Sequence, residues 1–276
     1  MTIITISRQV GSLGDEISST VAKNLNLDLV GPAEVHELAQ SCDPEYRDAC
    51  ALYETEHRPG FFERLFFDQP SYKSLFEALT FEQASRGNVV LMGRGAQIVL
   101  HGMPGVMSVA VVAPEEIRIQ RTVAKLNCTP EEAARIVRNH DREHLHLIRL
   151  VFDRDPRDWA LYDLILNTSQ LAVSAASEMV VQAVERMDRI PDEESIKEKL
   201  TNMALGKRIE TLVRKKLSPG TARNVLVNAD LSGVIRITGQ IADKIEKEKV
   251  EKIASQYPGV TKVECDLKLV GLAYGL

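Results

Sequence analysis

An α/β fold with a parallel sheet covered by helices on both faces, followed by a small α+β unit, is what this 276-residue sequence predicts. Three observations predict it. Short apolar, β-branched runs alternate with helical patterns through the first two thirds of the chain, as strands covered on both faces by helices do. A charged, proline-bearing stretch, DRIPDEES at residues 188–195, then breaks the pattern. Beyond it the order becomes helix, strand, strand, helix, strand over about 70 residues, enough for a core of its own. The expected units are residues 1–188, a linker and helix start at 189–203, and a small domain at 204–276.

The elements follow in order. TIITI is the first strand, and EISSTVAKNLN after it is amphipathic. A helical stretch around SLFEALTFEQAS leads to the strand NVVLM, and VMSVAVV leads into the helix PEEIRIQRTVAKL. A polar helical stretch starts near Thr129, and YDLILN precedes AVSAASEMVVQAVERM. In the small unit, ALGKRIETLVRKKL is helical, ARNVLVNAD is a strand and LSG is a turn. VIRITGQI is a second strand, DKIEKEKVEKIASQ a helix, and VTKVECDLKLV the last strand.

Composition narrows the function classes. With 44% hydrophobic and 26% charged residues the chain has the make-up of a soluble globular protein. Its formal charge of -5 gives no global positive field, so nucleic acid is not expected as a partner and any anion site must be built locally. No apolar run approaches the roughly 20 residues of a bilayer span, and no signal peptide is read at the start. The expected location is cytoplasmic. Cys42, Cys50, Cys128 and Cys265 show no ligand-like spacing and read as plain thiols. The NTS at Asn167 fits a glycosylation pattern that carries little weight without secretion.

The stretch SRQVGSLGDEIS carries the first chemistry. A strand, a glycine-bearing turn and a helix start bring free backbone N–H groups and the positive end of a helix dipole to one point. Aligned with G-x-x-x-x-G-K-[ST], the lysine position is Gly14 and the hydroxyl position is Asp15. Gly11, Ser12 and Gly14 can form a phosphate cradle, and Arg8 can supply a cation from the other side. Asp15 suits a helix N-terminus, yet its carboxylate would repel a phosphate there. An ordinary capped turn between strand and helix is the alternative.

Four stretches together, ISRQVGSLGDEI, VVLMGRGAQIVL, APEEIRIQR and DWALYDLILNTS, resemble the cytidylate kinase-like family, a divergent branch of the P-loop nucleoside monophosphate kinases. The resemblance covers about 170 residues, long enough for a whole domain. It implies a parallel sheet of five or so strands, an ATP site on the first loop, a nucleotide-monophosphate site, a mobile lid, and magnesium as cofactor. By that resemblance Arg94 of GRGA contacts the acceptor nucleotide and Asp163 lies near it. Arg138, Arg142 and Arg149 fall in the lid, where arginines neutralise the transferring phosphoryl group. The sequence departs from the pattern at Leu13 and Asp15, where a glycine and a basic residue are usual, and at His144, where an arginine is expected. No magnesium ligand is assigned. The C-terminal unit resembles a BON domain through its element order, GVIRITGQI and YPGVTKVECDL. Such modules bind or regulate, which leaves a regulatory partner, a homo-oligomer contact or plain core-building as its role.

HDREH, residues 140–144, also satisfies the inverted zinc-protease pattern. No downstream glutamate completes it, and Arg138, Arg142 and Arg149 would oppose a dication. The leading expectation is an ATP-dependent nucleoside monophosphate kinase acting on CMP or dCMP. The second is a nucleotide-binding sensor on the same fold that has lost catalysis and signals through its BON-like unit.

Overall fold

A computed structural model describes residues 1–31, 69–187, 192–230 and 232–269. The larger sheet contains β1 (Ile3–Arg8), β2 (Asp28–Val30), β3 (Val89–Met92), β4 (Val106–Val112) and β5 (Leu164–Asn167) in the spatial order β2-β3-β1-β4-β5, with every pairing parallel. Helices α1 (Gly14–Leu25), α2 (Gln69–Ser85), α3 (Ala96–Val99), α4 (Glu115–Leu126), α5 (Pro130–Phe152) and α6 (Val173–Glu185) connect the strands and flank them. The expected α/β architecture is the observed one. The three-residue strand β2 is an addition, because DLV is too short to register as a pattern by itself.

Alternation along β1 and β3 sorts the core into two layers. Ile4, Ile6 and Val90 face α1 and α6, packing with Ile17, Val21, Ala176 and Val180. Ile3, Val89 and Leu91 face the other way, onto Phe81 and Ala84 of α2 and onto Leu200 and Ala204 of α7 (Glu193–Lys216). Burying such side chains contributes roughly 1.5–3 kcal/mol each, which fixes the sheet between its helices.

Helix α7 has a double role. Residues 188–191 of the expected linker lie outside the described residues, and Asp192 caps the helix by accepting from the Ser195 N–H at 3.0 Å. Its first half completes the sheet's core. Its second half places Ile209 and Val213 in the core of the small sheet, whose strands are β6 (Leu226–Ala229), β7 (Val234–Ile241) and β8 (Lys262–Leu269). β6 pairs antiparallel with β7, and β8 pairs parallel with it. The one-turn helix α8 (Pro219–Ala222) and then α9 (Lys244–Ser255) complete this αββαβ unit. Gly206 allows α7 to dock on β6, since a Cβ there would sit 3.1 Å from both the Ala229 nitrogen and the Val227 oxygen. Among the described residues no helix is long and apolar enough to cross a membrane.

Candidate functional site

In a sheet of this order the crevice opens at the carboxyl ends of β1 and β4, where the chain switches from one side of β1 to the other. A cavity of about 490 Å³ lies there. Its floor is Ser7–Gln9 and Ala110–Val112, and α5 and the segment after it form its walls. Arg8, Arg138, Arg142 and Arg157 line it against the carboxylates of Glu115 and Asp141, with His140 and His144 alongside. The cavity therefore favours an anion.

The loop between β1 and α1 enters this cavity's lining only at Gln9; Gly11, Ser12, Gly14 and Asp15 are not among the lining residues. Its backbone is strained for access: Gly11 has φ +78°, and a Cβ there would lie 2.6 Å from the Arg118 carbonyl oxygen. Leu13 adopts the left-handed conformation, φ 65°, and gives α1 no side-chain cap. A non-glycine residue there costs on the order of 1 kcal/mol or more, and packing of the Leu13 side chain against the core offsets it. The first-turn N–H groups of α1 have no carbonyl partner within the helix. The Ser12 hydroxyl is buried and makes no hydrogen bond among the described residues.

Arg8 lies close to the lysine position of the loop. A Cβ on Gly14 would meet the Arg8 Cβ at 2.3 Å, and one on Gly93 would meet its Nη1 at 2.6 Å. The Arg8 side chain thus runs from the start of α1 to the end of β3, and both glycines are needed to seat it. Its Nε donates to Asp15 Oδ1 at 3.0 Å, and Lys125 Nζ lies 3.9 Å from Asp15 Oδ2. Asp15 does not face the loop without a cation.

Three residues of α4 that sequence reasoning did not single out brace the loop. Arg121 donates to the Gly11 carbonyl at 3.3 Å and to Thr168, whose hydroxyl donates to the Ser12 carbonyl at 2.8 Å. Arg118, buried, donates to the Val10 carbonyl at 3.4 Å and forks onto Asp141 of α5 at 3.0 and 2.7 Å. Lys125 reaches Glu16 at 3.4 Å. Arg118 and Arg121 lie within the APEEIRIQR stretch, but a sequence does not show that a helical arginine reaches a loop over a hundred positions away in the chain.

The other expected site residues separate. Arg138 and Arg142 line the cavity; Arg138 pairs with Glu115 at 2.8 Å, and Arg142 has no ion pair among the described residues. Arg149 does not line it and pairs with Asp155. Side-chain and backbone hydrogen bonds from Arg157, with Arg149 adding to them, hold the Asp155 carboxyl well below the usual carboxylate range. Arg94 is buried, with φ 60°, in a run of three left-handed residues with Gly93 and Gly95, and is not among the cavity's lining residues. Asp163 accepts from the Ser108 N–H at 2.8 Å and ties the start of β5 to β4. His140 and His144 lie on one helix, yet among the described residues no three His, Cys, Asp or Glu side chains converge on a metal position.

Residues 3–170 match the cytidylate kinase-like family, and residues 207–271 match the BON domain. The chain belongs to the cytidylate kinase-like family. Its larger unit is nucleoside monophosphate kinase-like, and its smaller unit is a BON domain. A cytidylate kinase of Pyrobaculum islandicum is 27% identical over 177 residues, covering 64% of this chain and 89% of the relative. One from Methanopyrus kandleri is 29% identical over 117 residues, 40% of this chain and 61% of the relative. Among solved structures, an uncharacterized protein from Eubacterium ventriosum superposes with a TM-score of 0.53 at 16% identity, over 67% of this chain and 99% of that one. That likeness shows the fold of the kinase-like unit.

Proposed function

We propose that this chain is an ATP-dependent nucleoside monophosphate kinase whose acceptor is CMP or dCMP, with Arg8 supplying the cation that a loop lysine supplies in a Walker A motif. The observation that carries the reading is the Arg8 side chain laid from Gly14 to Gly93 beside Asp15. In the reaction an oxygen of the acceptor's phosphate bonds to the γ-phosphorus of ATP. The bond from that phosphorus to the β–γ bridging oxygen breaks, leaving ADP and a nucleoside diphosphate. Such a transfer asks the protein for position and charge rather than for covalent chemistry.

The Gly11–Gly14 backbone, the Ser12 hydroxyl and the dipole of α1 hold ATP phosphates in this reading. Arg8 neutralises their outer oxygens. Arg138 and Arg142 approach from α5, Arg94 and Asp163 serve the acceptor side, and Arg149 braces the segment around Asp155. The residues present fit magnesium modestly. Asp15 is half exposed three positions after the buried, unsatisfied Ser12 hydroxyl, and a small hard cation is commonly held by one carboxylate plus phosphate oxygens and water. When bound, magnesium neutralises phosphate charge. A carboxylate that would repel a bare phosphate becomes tolerable beside it.

The second reading, a nucleotide-binding protein without catalysis that signals through the BON domain, is favoured by the same Arg8–Asp15 pair, which leaves the loop's cation already neutralised. The test is turnover by the full chain with magnesium and ATP against each nucleoside monophosphate and its deoxy form, quantifying ADP and the new diphosphate. CDP or dCDP is expected, with kcat falling about 10²–10³-fold in Arg8→Ala. Absent turnover with binding retained by calorimetry would select the second reading, and loss of both would overturn the pair.

A further inference from the structure

We propose that Trp159 is the platform on which the base of a nucleotide stacks in this cavity, an inference that rests on the nucleotide reading above. Trp159 lines the cavity, yet its side chain is 60% exposed. An indole left in water forfeits the burial that normally places tryptophan inside, so its position needs a reason. Mobility does not supply one, because the segment is held from both sides. The Asp158 carboxylate accepts from the Ala160 N–H at 3.1 Å, and the Tyr162 N–H donates to the Trp159 carbonyl at 3.1 Å. The Tyr162 hydroxyl donates to the Pro156 carbonyl at 2.8 Å, and Leu161 between them is buried. The fold presents this indole on a fixed turn.

Its surroundings name the ligand's chemistry. Arg8, Arg138, Arg142 and Arg157 share the cavity, which suits an anionic ligand rather than an apolar protein face. A volume of about 490 Å³ with arginines and a planar aromatic in one enclosure matches a molecule that carries phosphate at one end and a π-face at the other. Every nucleobase offers such a face, so stacking on Trp159 adds affinity for base-bearing ligands without choosing among bases.

The experiment uses the full chain with three probes: CMP, ATP and inorganic tripolyphosphate, which carries the charge without a base. Calorimetry gives affinities, and the chain's single tryptophan gives a direct fluorescence readout. In Trp159→Ala, CMP or ATP is expected to bind about tenfold more weakly, with tripolyphosphate unchanged and Trp159→Phe retaining most of the affinity. In the wild type, nucleotide quenches the indole emission and tripolyphosphate does not. Unchanged nucleotide affinity in Trp159→Ala would overturn stacking while leaving the nucleotide site standing. A wild type that binds tripolyphosphate but no nucleotide, or none of the three, would overturn the nucleotide reading and this inference with it.

Discussion

In the loop after β1, Arg8 and Asp15 meet at 3.0 Å with the carboxylate 55% exposed. Where α7 crosses α2 and β6, Glu210 meets Arg214 at 2.8 Å with its side chain 1% exposed. The buried carboxylate is fully engaged: it also takes Lys207 at 3.1 Å and the Val227 N–H at 2.9 Å, while Lys207 reaches Glu77 of α2 at 2.9 Å. Arg214 also donates from Nε and Nη2 to the Val225 carbonyl. The loop pair has its carboxylate open to water while Arg8 is mostly buried, so its Coulomb energy is partly screened. The buried cluster cannot lose a member without leaving a bare charge behind. Ion pairs thus sit half open to water in one place and join α7 to α2 and β6 in the other.

The largest effect should come from the buried side. Glu210→Ala is expected to lose about 3–5 kcal/mol in urea unfolding, because the buried Val227 N–H loses its acceptor and Lys207 and Arg214 each lose a carboxylate. A loss below about 1 kcal/mol would break the contrast. Next, Arg8→Ala should leave the unfolding midpoint nearly in place while losing most phosphoryl transfer. Gly14→Ala should share that loss and also cost about 1–3 kcal/mol in stability, because the added methyl would meet the Arg8 Cβ at 2.3 Å and displace the side chain it carries. If Gly14→Ala kept full turnover, Arg8 would not be the working charge.

The smallest effect concerns the start of α5, where Thr129 accepts from the Glu132 N–H and Glu132 accepts from the Thr129 N–H, a reciprocal cap. Thr129→Ala should cost about 1 kcal/mol. The Thr129 N–H and then its hydroxyl hold the Glu132 carboxyl below its ordinary value. A depressed carboxylate stabilises above its unfolded value, near 4.5, and that stabilisation is lost as pH falls through the folded value. The gap between wild type and Thr129→Ala should therefore narrow on acidification, which unfolding curves at pH 7 and pH 3 would show.

Much of the fold was legible because its signals are local. The runs TIITI, NVVLM, VMSVAVV and YDLILN became β1, β3, β4 and β5, and the polar helical stretch starting near Thr129 became α5. Strand β2 escaped, since three residues carry no period. The family was legible as well, in four motifs whose order no single one reveals. The site was legible in part. The loop's glycines could be named from spacing, and Arg138 and Arg142 from the family resemblance; both arginines line the cavity. The bracing by Arg118 and Arg121, the tether of Asp163 to Ser108 and the exposed setting of Trp159 could not. They join residues far apart in the chain, and no local pattern records which helical face meets which loop.

The sequence by itself determined that a parallel α/β unit precedes a small αββαβ unit, and that the first loop lacks a lysine while keeping its glycines. Periodicity, turn residues and motif spacing act over a few positions and leave their record there. Only the tertiary structure decided where the Arg8 side chain lies and how the two units are joined. The Arg8 side chain reaches over Gly14 and Gly93, which are 79 positions apart, because parallel β1 and β3 end side by side. Helix α7 belongs to both cores because Gly206 lets β6 approach, Glu210 takes the Val227 N–H of β6 and Lys207 reaches Glu77 of α2. Such arrangements are set by packing, and packing is a property of the folded chain.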